Sequence, residues 1–385
     1  MTLSSAERAR YERQISLSEI GLAGQERLKS ARVLVIGAGG LGSPVALYLA
    51  AAGVGALGIV DCDRVALSNL HRQVLFESAS LGRLKAEAAR ERLASLNPQI
   101  EVIAHALELR SGNVRAVLEP YDVIVDGTDR LSTRYLVNDA CVILGKPLVS
   151  AAIHRFEGQA LTYVPGRGPC YRCLFPEARD GVVASCAEAG VLGVLPGVLG
   201  AIQATEAIKL VTGVGEPLTG RLLTYDALEM RFREFSLSRR PDCAVCGEHP
   251  SITEPLEAGE RCAGEAAQAL GGVLRLSPAQ LHGLIEGTRE PLVLIDVREP
   301  DEFGIGRLAG AINIPLAELA GRLEEIPRTL TPVFICRSGR RSLAACAAAL
   351  SAGIQAPAHL EGGLAAWAME IDPAFPLDPP GGGAA

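Results

Sequence analysis

Hydrophobic positions between residues 31 and 149 form short continuous runs that alternate with longer runs of helical spacing. RVLVIG, ALGIVD, VIVDGT and KPLVSA are typical of buried strands, whereas SPVALYLAAAG, LKAEAARERLASL and TRYLVNDACVIL are typical of helices. This alternation is the pattern of a parallel sheet with crossover helices. It predicts a doubly wound α/β domain.

The same alternation returns near residue 273 on a smaller scale. LVLIDVRE and TPVFIC predict strands, and LAELAGRLEEI and SLAACAAALSAG predict helices, in a unit of about 100 residues. The stretch before this unit is rich in Pro, Gly and Glu and has no sustained periodicity. We therefore predict a first domain over residues 1–249, a linker over 250–272, a smaller α/β domain over 273–373 and a disordered tail over 374–385.

Composition and charge exclude several classes of protein. The chain has 385 residues, of which 48% are hydrophobic and 21% charged, enough for two or three folded domains. A formal net charge of -7 gives no general attraction to nucleic acid or to an acidic membrane. The first residues have no apolar core of signal-peptide type, and the longest uncharged apolar run, over 189–202, is short for a membrane span. We expect a cytoplasmic protein that binds neither membranes nor nucleic acid directly.

A glycine-rich turn connects the first predicted strand with the first predicted helix. Gly37, Gly39, Gly40 and Gly42 let backbone N–H groups approach a phosphate that the helix N-terminus also attracts. Asp61 ends the next predicted strand, where a ribose hydroxyl would bind. The pattern predicts a Rossmann-like nucleotide site. At this point a dinucleotide-binding oxidoreductase, or a merely tight strand-to-helix turn, remains open.

Polar residues after this turn favour ATP over a dinucleotide. The next segment supplies Asn69, Arg72, Gln73 and Lys85, and Asp129 stands at the end of a later predicted strand. A hydride-transfer pocket has no need for two cations and a carboxylate, whereas an enzyme that activates a carboxylate with ATP must neutralise three phosphates and hold Mg²⁺. The alternative is that Arg72 and Lys85 lie on solvated faces.

Four of the ten cysteines form two C-x-x-C pairs, Cys170 with Cys173 and Cys243 with Cys246. Each pair has the spacing that lets two thiolates of one turn bind one ion, and two pairs complete a tetrahedron with no open position. The pattern predicts a structural Zn²⁺ site. Four unligated thiols or a redox C-x-x-C are the alternatives.

Two further cysteines are candidate nucleophiles. Cys336 ends an apolar strand and is followed at once by a turn with three arginines, an environment that stabilises a thiolate. The sixth residue after Cys336 is Ser342, so the C-x5-R spacing of phosphatases is missed. Cys186 lies in a loop before a long apolar helix, where it is either a nucleophile or a small filler. The other cysteines are interpreted as small apolar residues; they are Cys62, Cys141, Cys262 and Cys346.

Several motifs of the first domain occur together and in a fixed order. They are RYERQI, GAGGLGSPVALYLA, DxDxVxLSNLxRQ, GxxKAEAA, GTD, PCYRCLFPE and GVLGxLPGVLGxIQAxEAIK. Over residues 8–249 this set resembles the MoeB/ThiF adenylyltransferases, the bacterial relatives of ubiquitin-activating enzymes. The resemblance implies a ribose contact from Asp61 or Asp63, phosphate contacts from Arg72, Gln73 and Lys85, and a magnesium contact from Asp129.

The resemblance also implies a homodimer. Arg13 of RYERQI would reach into the ATP site of the partner subunit as an arginine finger. One departure is visible next to the magnesium position, because the family usually has Asn where this chain has Arg130.

The motifs LIDVREPDEF, GRLAGAINIPL, FICRSGRRS and LEGGLAAW resemble the rhodanese family across residues 275–371. The resemblance implies that Cys336 is the catalytic cysteine of a six-residue loop over 336–341, whose N–H groups and arginines stabilise an anionic persulfide. Asp296 and Arg298 lie where the family keeps a structural ion pair, and Arg307 stands where many relatives have histidine. In relatives with a fused sulfurtransferase, the cysteine that matches Cys186 is proposed to take part in sulfur transfer or release.

Together the two resemblances imply an ATP-dependent adenylyltransferase and sulfurtransferase. The substrate would be the Gly-Gly C-terminus of a MoaD/ThiS-like ubiquitin-like sulfur carrier, and the product a thiocarboxylate for molybdopterin, thiamine, cysteine or tRNA thiolation. A cysteine desulfurase or thiosulfate would supply the persulfide sulfur. The alternatives are a ubiquitin-activating enzyme that passes a thioester from Cys186, an NAD-dependent oxidoreductase, and a catalytically silent adaptor.

Overall fold

A computed structural model describes residues 2–176, 190–255, 273–287, 292–327 and 330–377. The chain divides into two compact units between residues 260 and 261. In the part of the chain described, no helix is both long enough and apolar enough to cross a membrane.

The first unit is built on one eight-stranded mixed sheet. The order of its strands is β3-β2-β1-β4-β5-β6-β7-β8, parallel from β3 to β5 and antiparallel from β5 to β8. The strands are β1 (Arg32–Ile36), β2 (Ala56–Val60), β3 (Glu101–His105), β4 (Val123–Asp126), β5 (Leu148–His154), β6 (Glu157–Tyr163), β7 (Arg221–Asp226) and β8 (Arg231–Ser236).

Helices cover both faces of this sheet. Along β1, Val33 and Val35 pack into one hydrophobic cluster, whereas Leu34 and Ile36 pack into another, because successive side chains of a strand point to opposite faces. The helices are α1 (Ser5–Arg10), α2 (Glu12–Ile15), α3 (Gly21–Ser30), α4 (Gly42–Ala52), α5 (Lys85–Leu96), α6 (Ser111–Leu118), α7 (Leu131–Leu144), α8 (Tyr171–Leu174) and α9 (Leu195–Thr212), with short 3-10 turns at Leu67–Asn69 and Ser78–Ser80.

The predicted α/β class is confirmed, but the predicted pattern covers only part of the sheet. Strands β1, β2, β4 and β5 and helices α4, α5 and α7 lie where the hydrophobic runs indicate. The antiparallel strands β6 to β8 were not predicted. All six residues of β8 are exposed, so this strand, the last of the sheet, has no hydrophobic run by which to recognise it.

The second unit contains a five-stranded parallel sheet in the order β11-β10-β12-β13-β9. This confirms a smaller α/β fold, although three of the strands have only two or three residues and give no recognisable pattern. The strands are β9 (Leu274–Leu276), β10 (Leu292–Asp296), β11 (Ile312–Asn313), β12 (Thr331–Ile335) and β13 (Ala358–Leu360). The helices are α10 (Pro278–Glu286), α11 (Pro300–Ile305), α12 (Leu316–Arg322), α13 (Arg340–Ser351) and α14 (Gly363–Glu370), with a 3-10 turn at Leu323–Glu325.

Candidate active sites and metal centre

The glycine-rich turn lies where the strand order of the first sheet reverses, between β1 and β4. Open α/β sheets bind ligands at such a switch point. Gly37 has a φ of +85°, and a Cβ on Gly42 would lie 1.7 Å from the Gly37 carbonyl oxygen. The turn therefore requires glycine at both positions. The Gly127 N–H donates to the Ile36 carbonyl at 2.8 Å, which joins the loop after β4 to the same place.

Asp61 braces this turn from the end of β2. Its carboxylate accepts hydrogen bonds from the backbone N–H groups of Ala38 and Asp63, both at 2.8 Å. Burial raises the pKa of Asp61, although Lys85 and these two N–H donors oppose the shift. The carboxylate thus supports the loop backbone at the position where the sequence places a ribose contact.

Two further predicted polar residues, Gln73 and Arg72, lie around the glycine turn. Gln73 is buried, and its Oε1 has no hydrogen-bond partner among the described residues, while its Nε2 lies 3.7 Å from where a Cβ on Gly39 would stand. The Arg72 side chain adjoins Gly40, with its Cδ 3.7 Å from the corresponding Cβ position. A buried amide oxygen without a partner is rare in a folded protein and fits a site that is completed by a ligand.

Lys85 and Asn69 complete the predicted set. Lys85 begins α5, is 5% exposed, and its Nζ pairs with Asp63 at 3.0 Å. Asn69 uses its side-chain oxygen to accept the Ala66 N–H at 3.2 Å, which closes the 3-10 turn that carries it. The structure therefore brings the glycine turn, Asp61, Lys85 and the Asn69–Gln73 segment to one edge of the sheet.

The four paired cysteines meet in one cluster, with all sulfur atoms within 4.8 Å of one another. The Sγ atoms of Cys170 and Cys243 are 3.7 Å apart and those of Cys173 and Cys246 are 3.4 Å apart. A tetrahedral zinc ion with Zn–S bonds of about 2.3 Å needs sulfur separations of about 3.8 Å, so the set fits such an ion. The backbone N–H of Arg240 also donates to Cys173 Sγ at 3.4 Å, as expected around a thiolate ligand.

Cys336 lies at the carboxyl end of β12, and the loop after it turns N–H groups toward the sulfur. Its Sγ accepts from the Gly339 N–H at 3.1 Å and the Ser342 N–H at 3.3 Å. Two loop carbonyls point away from the sulfur: the backbone oxygens of Cys336 and Arg337 accept hydrogen bonds from N–H groups in the first turn of α14. The cradle predicted for an anionic sulfur is present, although one of its donors, Ser342, lies one residue beyond the predicted loop.

Comparison with known proteins identifies both units. The sequence model of the ThiF family matches residues 11–245. The chain belongs to the ThiF family. The model of the rhodanese-like domain matches residues 277–370, so a rhodanese domain follows the ThiF domain.

Named relatives align with this chain over nearly their full length. The chain is 47% identical over 381 residues to the probable adenylyltransferase/sulfurtransferase MoeZ of Mycobacterium tuberculosis, with 96% of this chain and 95% of MoeZ covered. It is 43% identical over 392 residues to the adenylyltransferase and sulfurtransferase MOCS3 of Aedes aegypti, with 97% and 90% covered. A crystal structure of E. coli MccB with ATP is 27% identical at a TM-score of 0.55, over 63% of this chain and 75% of MccB.

The carboxylate at the end of β4 in the ThiF domain is Asp126, not Asp129. Asp126 is buried, and Arg134 pairs with it at 3.1 Å. Asp129 follows three residues later in an exposed loop and has no hydrogen bond or ion pair among the described residues. The unusual Arg130 points its Nη1 at Glu108, 3.1 Å away.

Arg13 lies on α2 at the surface. Within the residues that the structure describes, its guanidinium has no hydrogen-bonding or ion-pairing group. This placement leaves it accessible to a second chain.

In the rhodanese domain the predicted Asp296–Arg298 ion pair is confirmed, with both side chains buried and a closest distance of 2.7 Å. Arg341 forms a two-pronged pair with Glu302 at 2.6 and 2.7 Å. Although burial opposes it, this pairing lowers the pKa of Glu302. The negative charge of Glu302 offsets the field that Arg341 was expected to add, whereas Arg340 is exposed.

The remaining cysteines differ from one another. Cys141 and Cys346 are buried, and burial raises the pKa of Cys346 to about 12, as expected for inert thiols. Cys62 is exposed beside Asp61 and Asp63, so its interpretation as a small apolar residue is wrong. Cys186 and Cys262 lie outside the described residues.

Sequence reasoning missed side chains that reach a site from distant parts of the chain. Glu302 reaches the cysteine loop from α11, and His359 approaches Ser342 from β13. No spacing rule connects these residues to Cys336. The sequence signals were the place of Glu302 within the LIDVREPDEF motif and the proximity of His359 to the LEGG motif.

Proposed function

We propose that this protein adenylates the C-terminal carboxylate of a ubiquitin-like sulfur carrier and then transfers sulfur to it from a persulfide on Cys336. The observation that carries the proposal is the presence, in one chain, of a ThiF-family domain and a cysteine whose Sγ accepts hydrogen bonds from two backbone N–H groups. The names of the MoeZ and MOCS3 relatives, which combine adenylyltransferase and sulfurtransferase, support it.

Adenylation needs charge neutralisation and alignment more than a protein nucleophile. The backbone of residues 37–42 and the side chains of Arg72, Gln73 and Lys85 would bind the ATP phosphates, and Asp129 would hold Mg²⁺. The Lys85 ammonium has three N–H donors, so its pair with Asp63 leaves donors for a phosphate oxygen. The carrier carboxylate attacks the α-phosphate, the bond to the bridging oxygen breaks, and pyrophosphate leaves.

Sulfur transfer uses the second domain. With thiosulfate as donor, the Cys336 thiolate attacks the sulfane sulfur, the bond to the sulfonate sulfur breaks, and sulfite leaves with the electron pair. The terminal persulfide sulfur then attacks the acyl carbon and AMP leaves. A thiol attacks Cys336 Sγ, which breaks the S–S bond, releases the carrier thiocarboxylate and leaves a disulfide for an external dithiol to reduce. We propose Cys186 as that thiol.

The Cys170, Cys173, Cys243 and Cys246 cluster is a structural zinc site in this proposal. All four ligand positions are filled by cysteine, so no position is open for substrate. The site joins the segment after β8 to the start of α8. We also propose a reducing, cytoplasmic location, because a reducing compartment keeps the four cysteines from forming disulfides.

Replacing Cys243 by serine is expected to remove the metal. Elemental analysis should find about one Zn²⁺ per chain in the unaltered protein and almost none in the variant, because three thiolates do not complete the tetrahedron. The melting temperature should fall by roughly 5–10 °C, because metal binding contributes to folding free energy. Cys62→Ser, at an exposed thiol outside the cluster, is the control and should keep its zinc. Metal-free unaltered protein, purified without chelators, would contradict the site.

The homodimer proposal predicts activity from two inactive chains. Arg13→Ala and Asp129→Ala should each abolish carrier-dependent pyrophosphate exchange, since one removes the arginine finger and the other the magnesium ligand. A mixed dimer contains one site with Arg13 and Asp129 both intact. Mixing should restore up to about half of the activity per mixed dimer. Exchange of subunits is verified by native mass, and no recovery in verified mixed dimers would exclude a role for Arg13 in the partner's site.

A further inference from the structure

A buried histidine stands behind the cysteine loop of the rhodanese domain. His359 is 5% exposed, and its Nδ1 lies 3.5 Å from the hydroxyl oxygen of Ser342. Among the described residues its Nε2 has no hydrogen-bond partner. A polar side chain buried with one nitrogen unpartnered has a cost in stability.

Ser342 lies between the histidine and the sulfur. Its side chain is fully buried, and its Oγ is 2.9 Å from the Gly339 carbonyl oxygen and 3.6 Å from Cys336 Sγ. A hydroxyl has one hydrogen and two acceptor sites. While the sulfur is a thiol, the S–H donates to Ser342 Oγ and the hydroxyl donates to the Gly339 carbonyl. When the sulfur is anionic it donates nothing, and the hydroxyl hydrogen has a stronger acceptor in the thiolate.

The tautomer of His359 follows from the same contacts. If the proton were on Nε2, an N–H group would be buried without an acceptor, which folded proteins tolerate less well than an acceptor without a donor. With the proton on Nδ1, the imidazole donates to Ser342 Oγ. Burial and Arg275 on β9 lower the pKa of His359, against the opposing Glu361, so the ring is neutral at pH 7. Arg275 and Glu361 face each other at 3.8 Å.

We propose that His359 is a positioning residue for Cys336 that acts through Ser342. Its Nδ1–H group donates a hydrogen bond to the Ser342 hydroxyl oxygen. The hydroxyl hydrogen then rotates from the Gly339 carbonyl to Cys336 Sγ when the sulfur is a thiolate. The thiolate is the species that attacks the sulfur donor, so the inference rests on the function proposed for Cys336. This rotation of the Ser342 hydroxyl reorients one O–H bond and transfers no proton to His359. It adds a side-chain donor to the two backbone donors of the cradle.

The test is the pH dependence of Cys336 alkylation by iodoacetamide in the full chain, followed by mass spectrometry of the Cys336 peptide. Ser342→Ala should raise the midpoint of this profile by about one pH unit and slow alkylation about tenfold below the midpoint. His359→Leu should raise it by about half a unit. Ser342→Thr and His359→Asn keep a hydroxyl and a side-chain N–H, and should restore the original midpoint. Ser351→Ala, at the exposed end of α13, should leave the profile unchanged.

A merely structural role predicts a different outcome. The variants would then melt at lower temperature while the midpoint stayed within about 0.2 units of the unaltered protein, and that result would overturn the proposal. Imidazole ¹⁵N shifts of the unaltered protein give a second measurement that needs no variant. A neutral ring protonated on Nδ1 is expected, and protonation on Nε2 would equally overturn the proposal. Both measurements are independent of sulfur transfer, so a chain that fails to use any sulfur donor would contradict the proposed function alone.

Discussion

Cys336→Ala is expected to lose thiosulfate sulfurtransferase activity and carrier thiocarboxylate formation together, because no persulfide can form on an alanine. Carrier-dependent pyrophosphate exchange should stay near that of the unaltered protein, since the glycine turn, Lys85 and Asp129 belong to the other compact unit. The intact mass of the carrier after incubation with ATP, Mg²⁺, thiosulfate and reductant measures the outcome. Replacement of oxygen by sulfur adds roughly 16 Da.

Cys346→Ala is the matched control for this experiment. Cys346 is a buried cysteine on α13 of the same domain, and burial raises its pKa to about 12, so it has no thiolate at neutral pH. This variant should keep both activities. If Cys336→Ala still produced the mass increase at the original rate without free sulfide, Cys336 would not be the sulfur carrier of this reaction.

The parts of the fold that could be predicted are those whose burial leaves a local pattern. Strands β1, β2 and β4 are buried along nearly all of their length, so they appear as continuous apolar runs. Strand β8 is exposed throughout, and β11 has only two residues. β8 pairs with the preceding strand β7 across a short turn, and β11 pairs in parallel with β10. Their positions depend on this backbone pairing, which leaves no hydrophobic pattern in the sequence.

The same distinction applies to the sites. The glycine turn and the C-x-x-C pairs are short motifs, and their spacing alone determines that their residues lie close together, because residues within one turn converge. The Glu302–Arg341 pair and the approach of His359 to Ser342 join residues on different elements. The exposure of Cys62 likewise depends on what surrounds the end of β2 in space. These features follow from tertiary packing, which residue types and spacing do not specify.

The two kinds of cysteine site in this chain differ in the groups that stabilise the negative charge of the sulfur. In the cluster of Cys170, Cys173, Cys243 and Cys246, all four sulfur atoms lie within 4.8 Å of one another, so a shared cation is the natural counter-charge. At Cys336 the nearest donors are N–H groups, which stabilise one anionic sulfur and leave it able to form a bond. In the function that we propose, identical side chains thus serve structure in one domain and chemistry in the other.

Asp129→Ala is expected to reduce carrier-dependent pyrophosphate exchange by about three orders of magnitude, because loss of a magnesium ligand leaves the triphosphate charge uncompensated. Asp129 is exposed and makes no hydrogen bond or ion pair among the described residues, so the melting temperature should change little. Thiosulfate sulfurtransferase activity should persist, since it needs only the rhodanese domain. Arg130→Asn is the neighbouring control: Arg130 pairs with Glu108, and its replacement should leave exchange within about threefold of the original rate. If Asp129→Ala kept full exchange while Asp126→Asn lost it in a folded chain, the buried carboxylate at the end of β4 would be the group that matters, and the assignment of magnesium binding to Asp129 would be wrong.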